Sequence, residues 1–92
     1  MIENFRHRGL KRFYERGDRS PIRPDLLPRV ERILTILDQM KQIEEMNLQS
    51  FNLHPLKGDY QGFWSVTVRA NWRIIFRFED GTVFDVELID YH

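Results

Sequence analysis

The sequence predicts an α+β fold in which two N-terminal helices pack on one face of a small, mainly antiparallel sheet. Three observations carry this. Apolar residues recur at helical spacing in the first half of the chain, then alternate one by one after "NLQS", residues 47–50. A repeat near 3.6 marks one buried side of a helix, whereas a repeat of 2 marks one buried face of a strand. The third is size, since 92 residues without a cysteine suit a single domain, 1–92, with neither a disulfide nor a thiolate metal site to hold it. Its core must come from packing, for which seven Phe, two Trp and three Tyr are available.

"HRGLKRFYERG", residues 7–17, predicts a short helix with Leu10, Phe13 and Tyr14 on one side and Gly17 as its stop. "DRSPIRP" then breaks the chain, because two prolines in four residues cannot continue a helix. From about Pro24 to Met46, Leu27, Val30, Ile33, Leu34, Leu37 and Met40 recur at helical spacing, with Pro28 in the first turn where proline is tolerated.

Three strands follow as an antiparallel meander. Trp64, Val66 and Val68 share one face of the first; Trp72, Ile74, Phe76 and Phe78 repeat the pattern, as do Phe84, Val86 and Leu88. Because a one-residue slip would turn an apolar set to the wrong side, the pattern also predicts register. Val66 should oppose Ile74 across "RAN". Phe76 should oppose Phe84 and Ile74 oppose Val86, with Glu79, Asp80 and Gly81 as a three-residue loop, since a two-residue Asp80-Gly81 turn would set Phe76 against Asp85. "MIENF" is the candidate fourth strand. The register sends Trp64 and Trp72 to the core and leaves Thr67, Arg73, Arg77, Asp85, Glu87 and Tyr91 on a polar face, with Ile75 and Ile89 among the charges.

No signal peptide and no long apolar run is present, which leads to the expectation of a soluble, cytoplasmic protein. Net charge is zero, against a large basic nucleic-acid binder. The charge is uneven, however: Arg6, Arg8, Lys11, Arg12, Arg16, Arg19 and Arg23 face only Glu15 and Asp18 within that span. Such clustering makes either a phosphate-binding face or a solvated helix surface.

Two stretches could carry chemistry. In "LHPLKG", residues 53–58, Pro55 pushes His54 toward extended geometry, Leu53 and Leu56 can anchor the loop, and His54 and Lys57 project from it. The chain also ends on Asp90, Tyr91 and His92, where extending the last strand places Tyr91 on the polar face with Arg73. His7, His54 and His92 lack ligand spacing, so no metal site is predicted, and no Gly-rich phosphate loop or serine nucleophile motif is present. No cofactor is implied. His, Lys, Arg and Tyr without a metal suit RNA strand scission, because RNA brings its own nucleophile, the 2′-hydroxyl. Cleavage then needs a base, cations for the phosphorane and an acid for the leaving oxygen.

"HRGLKRFYERG", "LHPLKGDYQGFWSVTV", "NWRIIFRF" and the terminal "DYH", occurring in that order over nearly the whole chain, resemble HigB-type toxins of the RelE superfamily. The resemblance implies two N-terminal helices on a small sheet, a ribosome-dependent endoribonuclease that cuts translated mRNA, and inhibition by a helix-turn-helix, HigA-like antitoxin. It places the site on His54, Lys57, Arg73, Asp90, Tyr91 and His92. His54 or His92 would do acid–base work with Tyr91 assisting, Lys57 and Arg73 would stabilise phosphate charge, and Asp90 would orient its neighbours. The Arg6 to Arg23 cations gain a reading as contacts to ribosomal RNA. A non-catalytic, partner-binding module that regulates its own operon is the alternative; it would not need His54, Lys57, Tyr91 and His92 together.

Overall fold

Helix α1 (Arg8–Arg16) opens the folded core of the protein, for which a computed structural model describes residues 1–91. Both ends of α1 are satisfied locally. The His7 Nδ1 accepts the Leu10 amide at 3.0 Å, and Gly17, at φ 70, donates its amide to the Phe13 carbonyl at 2.9 Å. That left-handed stop costs a residue without a Cβ little. Leu10 and Phe13 are buried while Tyr14 stays exposed, its ring 5.2 Å from that of Phe5.

Helix α2 (Leu27–Gln39) is shorter than the periodicity from Pro24 to Met46 predicts. Its apolar stripe of Leu27, Val30, Ile33, Leu34 and Leu37 is buried as expected, with Pro28 in the first turn. The helix stops because Met40 turns extended, and a separate 3-10 turn, Ile43–Met46, follows. One Glu45 carboxylate oxygen accepts the Lys41 and Gln42 amides at 2.6 and 2.9 Å, which offers the backbone an alternative to further helix. Those two amides also hold the Glu45 carboxyl below its usual range. Met40 and Met46 remain buried on either side of the break, so the apolar rhythm survives where the helix does not.

Four antiparallel strands form one sheet in the order β1-β2-β3-β4: β1 (His54–Pro55), β2 (Trp64–Arg69), β3 (Trp72–Glu79) and β4 (Thr82–Asp90). The fourth strand is therefore the "HP" of "LHPLKG" and not "MIENF". The N-terminal segment instead makes two isolated parallel bridges to β4, Ile2 to Val83 and Phe5 to Val86.

Val66 opposes Ile74, as the pattern predicts. Between β3 and β4 the predicted register does not hold. Glu79 opposes Thr82, so the connection is the two-residue Asp80-Gly81 turn, with φ 49 and 80. Two positive φ values match the twist of the flanking strands, which is why such turns close hairpins so often. The clash that argued against this turn is removed by a bulge: between the Arg77–Phe84 and Ile75–Glu87 pairs, β4 carries one residue more than β3. Asp85 lies in that bulge at φ 55. Consequently Val83, Val86 and Leu88 face the core, Phe84 does not, and Ile74 opposes Leu88.

The inner face packs with both helices into one cluster that includes Phe51 and Phe76, each fully buried. Trp64 and Trp72 lie against that cluster but are only half-buried. Phe76→Ala removes a side chain that nothing else can replace, and should lower the stability measured by urea unfolding by about 3–5 kcal/mol.

The outer face is not wholly polar. Ile75 is fully buried there under Leu56 and Phe63, with Tyr60 and Ile89 alongside. Residues 56–63 thus cover the middle of the second face and divide it. Among the described residues, no helix is long and apolar enough to cross a membrane.

Candidate active site

Pro55 lacks an amide donor, so it can lie at the edge of the sheet, and it forces His54 extended beside β2. His54 opposes Ser65, Ser65 opposes Ile75, and Ile75 opposes Glu87, a single row across all four strands. Leu53 packs into the main core and Leu56 under the loop that covers Ile75, so the strand is anchored on both faces. The His54 Nδ1 lies 2.9 Å from the Asn52 carbonyl oxygen. A carbonyl only accepts, so Nδ1 carries the proton, and in the neutral ring Nε2 holds the free lone pair. Asn52 reaches this position at φ 49, a conformation asparagine tolerates better than most residues. Sequence reading passed over Asn52; an asparagine two residues before an "HP" strand was the available signal.

Arg73 opposes Thr67 on β2 and Ile89 on β4, two residues along β3 from Ile75. It therefore shares the outer face with His54 but lies two strands across and two residues along, roughly 12 Å between Cα atoms. Its Nη1 donates to the Ala70 and Trp72 carbonyls at 2.6 and 3.2 Å, which fixes the guanidinium against the tip of its own hairpin. Ala70 sits at φ 51, sparsely populated for a residue with a Cβ.

Beyond Asp90, which ends β4 opposite Trp72, the Tyr91 amide donates to the Asn71 carbonyl at 2.7 Å. The last strand is thus tied to the hairpin tip, and the 44% exposed Tyr91 side chain follows Ile89 on the outer side by alternation. Asp90 alternates to the side of Trp72. Lys57 is exposed at the start of the 3-10 turn Gly58–Tyr60. His92 lies outside the described residues.

His54, Arg73 and Tyr91 consequently share one open surface, with Lys57 at the loop beside it. No hydrogen bond or ion pair joins these four side chains to one another among the described residues. Such spacing leaves room for a substrate between the groups.

The seven predicted cations do not lie together. Arg6 is on the outer face, 4.0 Å from Asp85 and over the Phe63 ring at 5.1 Å. Arg77 approaches the same Asp85 at 3.6 Å. Arg12 pairs with Asp18 at 2.6 Å, Arg19 with Glu31 at 3.8 Å and Arg23 with Asp25 at 2.9 Å. Arg8, Lys11 and Arg16, on α1, have no ion pair among the described residues. Nor do three or more His, Cys, Asp or Glu there converge to hold a metal ion.

A cavity of about 270 Å³ lies elsewhere, between α1 and α2, lined by Phe13, Tyr14, Leu34 and Asp38 among others. In it the Tyr14 hydroxyl donates to the Asp38 carboxylate, which with burial pushes the phenol up to about 12. None of the candidate catalytic residues lines it, and acid–base chemistry near neutrality is poorly served by such a phenol. The candidate residues lie on the open sheet face instead.

Residues 3–92 match a family described as RelE-like toxin of type II toxin–antitoxin system HigB. The chain is 45% identical over 92 residues to Endoribonuclease HigB of Proteus vulgaris, covering both proteins completely. Among solved structures it is similar to YafQ from E. coli strain BL21(DE3), at TM-score 0.60 and 15% identity over 96% of this chain and 89% of that one. It is also similar to the YoeB dimer from Staphylococcus aureus, at TM-score 0.63 and 13% identity over 99% and 94%. At such identities these two structures speak for the fold alone.

Proposed function

The chain belongs to the HigB family of RelE-like toxins of type II toxin–antitoxin systems, and from that premise we propose that it is an endoribonuclease acting on mRNA in the ribosome. The observation that carries this reading is His54, whose Nδ1 is held by the Asn52 carbonyl and which shares a sheet face with Arg73 and Tyr91 by register.

In this reading His54 takes the proton of a 2′-hydroxyl, and the oxygen attacks the adjacent phosphorus. Arg73 and Lys57 stabilise the charge that gathers on the non-bridging oxygens of the phosphorane. The bond from phosphorus to the 5′-oxygen breaks, and Tyr91 or His92 returns a proton to the leaving oxygen. Asp90 orients the C-terminal groups. Acid–base assistance of this kind contributes about 10²- to 10⁴-fold. The set of groups needs no metal ion.

A site whose described groups stand apart on an exposed sheet face gains most when a larger machine aligns its substrate, and this supports ribosome dependence. The exposed, unpaired Lys11 and Arg16 of α1 would meet ribosomal RNA. A HigA-like antitoxin would hold the protein inactive.

To test this, the purified protein is incubated with a defined mRNA, free and on programmed ribosomes. Only the ribosome-bound message should be cut, and the cognate antitoxin should stop the reaction. Lys11→Glu with Arg16→Glu should weaken co-sedimentation with ribosomes, and wild-type co-sedimentation should itself fall as salt rises. Equal cutting of free and bound RNA would remove the ribosome from the reading. No cutting of either would favour the partner-binding module.

A further inference from the structure

The hairpin that carries Arg73 has a second charged group on its opposite side. Arg69 opposes Trp72 at the end of the hairpin, and the Arg23 guanidinium lies 5.7 Å from the centre of the Trp72 ring. Asp25 bridges the two arginines. Its carboxylate accepts from Arg23 Nε and Nη2 at 3.1 and 2.9 Å, and its Oδ2 lies 3.7 Å from Arg69 Nη1. Both arginine side chains remain open to solvent, at 58% and 65% exposure.

This arrangement does little for the fold. Ion pairs that exposed contribute weakly to stability, and one carboxylate cannot neutralise two guanidiniums. It does hold two cations side by side within one residue of Arg73 along the hairpin, at the end where the Tyr91 amide meets the Asn71 carbonyl. Asp25 and Asp90 are the acids there, against Arg23, Arg69 and Arg73. The hairpin end therefore carries three cations against two acids, and the half-buried Trp72 ring packs against the main core on the side of Arg23.

We propose that Arg23 and Arg69 form a second phosphate-binding pair for single-stranded RNA, so that a strand leaving the Arg73 side continues around the hairpin end. Arg69 stands out in neither composition nor motif, and enters only through the Asp25 bridge. The proposal rests on the reading of the protein as an RNA-cutting enzyme, but its test does not need cleavage.

The probe is a single-stranded 2′-O-methyl RNA of about a dozen nucleotides, which has no 2′-hydroxyl to attack. Its affinity is measured by fluorescence anisotropy from low to moderate salt. Each phosphate contact on a single strand contributes about 0.7 to the slope of log affinity against log salt. Arg69→Ala should reduce the slope by about that amount, and Arg23→Ala with Arg69→Ala by roughly twice as much. Arg69→Lys should restore the slope because it restores the charge, whereas a merely structural arginine would not be rescued in this way. Thermal unfolding of each variant separates loss of contact from loss of fold. If the wild type binds this RNA with the expected slopes yet cuts no message on or off the ribosome, the nuclease reading fails and this one stands. An unchanged slope in the double variant, no salt-dependent binding by the wild type, or weakened binding only to the antitoxin would overturn it.

Discussion

Arg73→Ala should reduce cleavage of ribosome-bound mRNA by about 10²- to 10³-fold, the usual cost of deleting one preorganised donor aimed at developing charge. In cells the same change should relieve the growth arrest that follows expression without antitoxin. The size of the effect comes from placement. The guanidinium is held by the Ala70 and Trp72 carbonyls, so in the proposed site it would be ordered before the reaction begins. Those bonds also mean that the variant could loosen its own hairpin, and circular dichroism with thermal unfolding must accompany the rate. Arg73→Lys makes the distinction sharper. It keeps a charge on the outer face but loses the fixed, forked donors, so it should recover only part of the activity. Deleting Tyr91 and His92 should give a loss at least as large, with little effect on folding, because Tyr91 is exposed and only its amide is tied down. Undiminished toxicity in well-expressed, folded variants would overturn the assignment of the site.

The parts of this fold that were legible in the sequence are those set by local chemistry. Gly17 ends α1 at φ 70, Pro28 sits in the first turn of α2, and Pro55 makes His54 extended, each through the geometry of one residue. The pairing of Val66 with Ile74 follows from alternation over a short hairpin. What escaped the sequence depends on partners that periodicity does not see. The apolar rhythm from Leu27 to Met46 continues unbroken through the point where Glu45 captures two amides and ends the helix. Alternation in β4 likewise assumes a regular ladder, so one extra residue at Asp85 was enough to send Val83 inward and Phe84 out. The Asp85 bulge is in turn held by a distant residue: the Asn4 side chain donates to the Asp85 carboxylate at 2.7 Å and accepts the Asp85 amide at 3.0 Å.

The candidate site divides in the same way. Arg73 and Tyr91 could be assigned to one face from strand parity alone, whereas His54 was read as a loop residue and joins that face through its pairing with Ser65. The orientation of His54 could not be read, because it depends on the left-handed Asn52 carbonyl. The burial of Ile75 was also missed, since a strand pattern cannot reveal that a loop eight residues long will fold back over it. That cover matters for function. It fills the centre of the outer face, in the same cross-strand row as His54, so in the proposed reading an RNA strand would have to pass beside it.

Replacing the single nucleotide 5′ of the cut by its 2′-deoxy form should abolish cleavage, while the same replacement at any other position should leave cleavage near the wild-type rate. This is the largest effect expected of any change in the system, because it removes the nucleophile and not one of its helpers. It follows from the groups present: an imidazole, two cations and a phenol can between them deprotonate a hydroxyl, hold a phosphorane and protonate a leaving oxygen. When the 2′-oxygen attacks, the bond from phosphorus to the 5′-oxygen breaks. The upstream fragment then ends in a 2′,3′-cyclic phosphate and the downstream fragment begins with a 5′-hydroxyl. Mass spectrometry of the two fragments reads both ends directly. The deoxy substitution must be made on message held in the ribosome, so that positioning is preserved and only chemistry is tested. Removing transition metals while keeping the magnesium that the ribosome requires should leave the rate unchanged. A 5′-phosphate on the downstream fragment, or cleavage that survives the deoxy nucleotide at the cut, would mean that water is the nucleophile. His54 would then act on a water molecule on the opposite side of the phosphorus, and the roles of Lys57, Arg73, Tyr91 and His92 would have to be assigned afresh around that geometry.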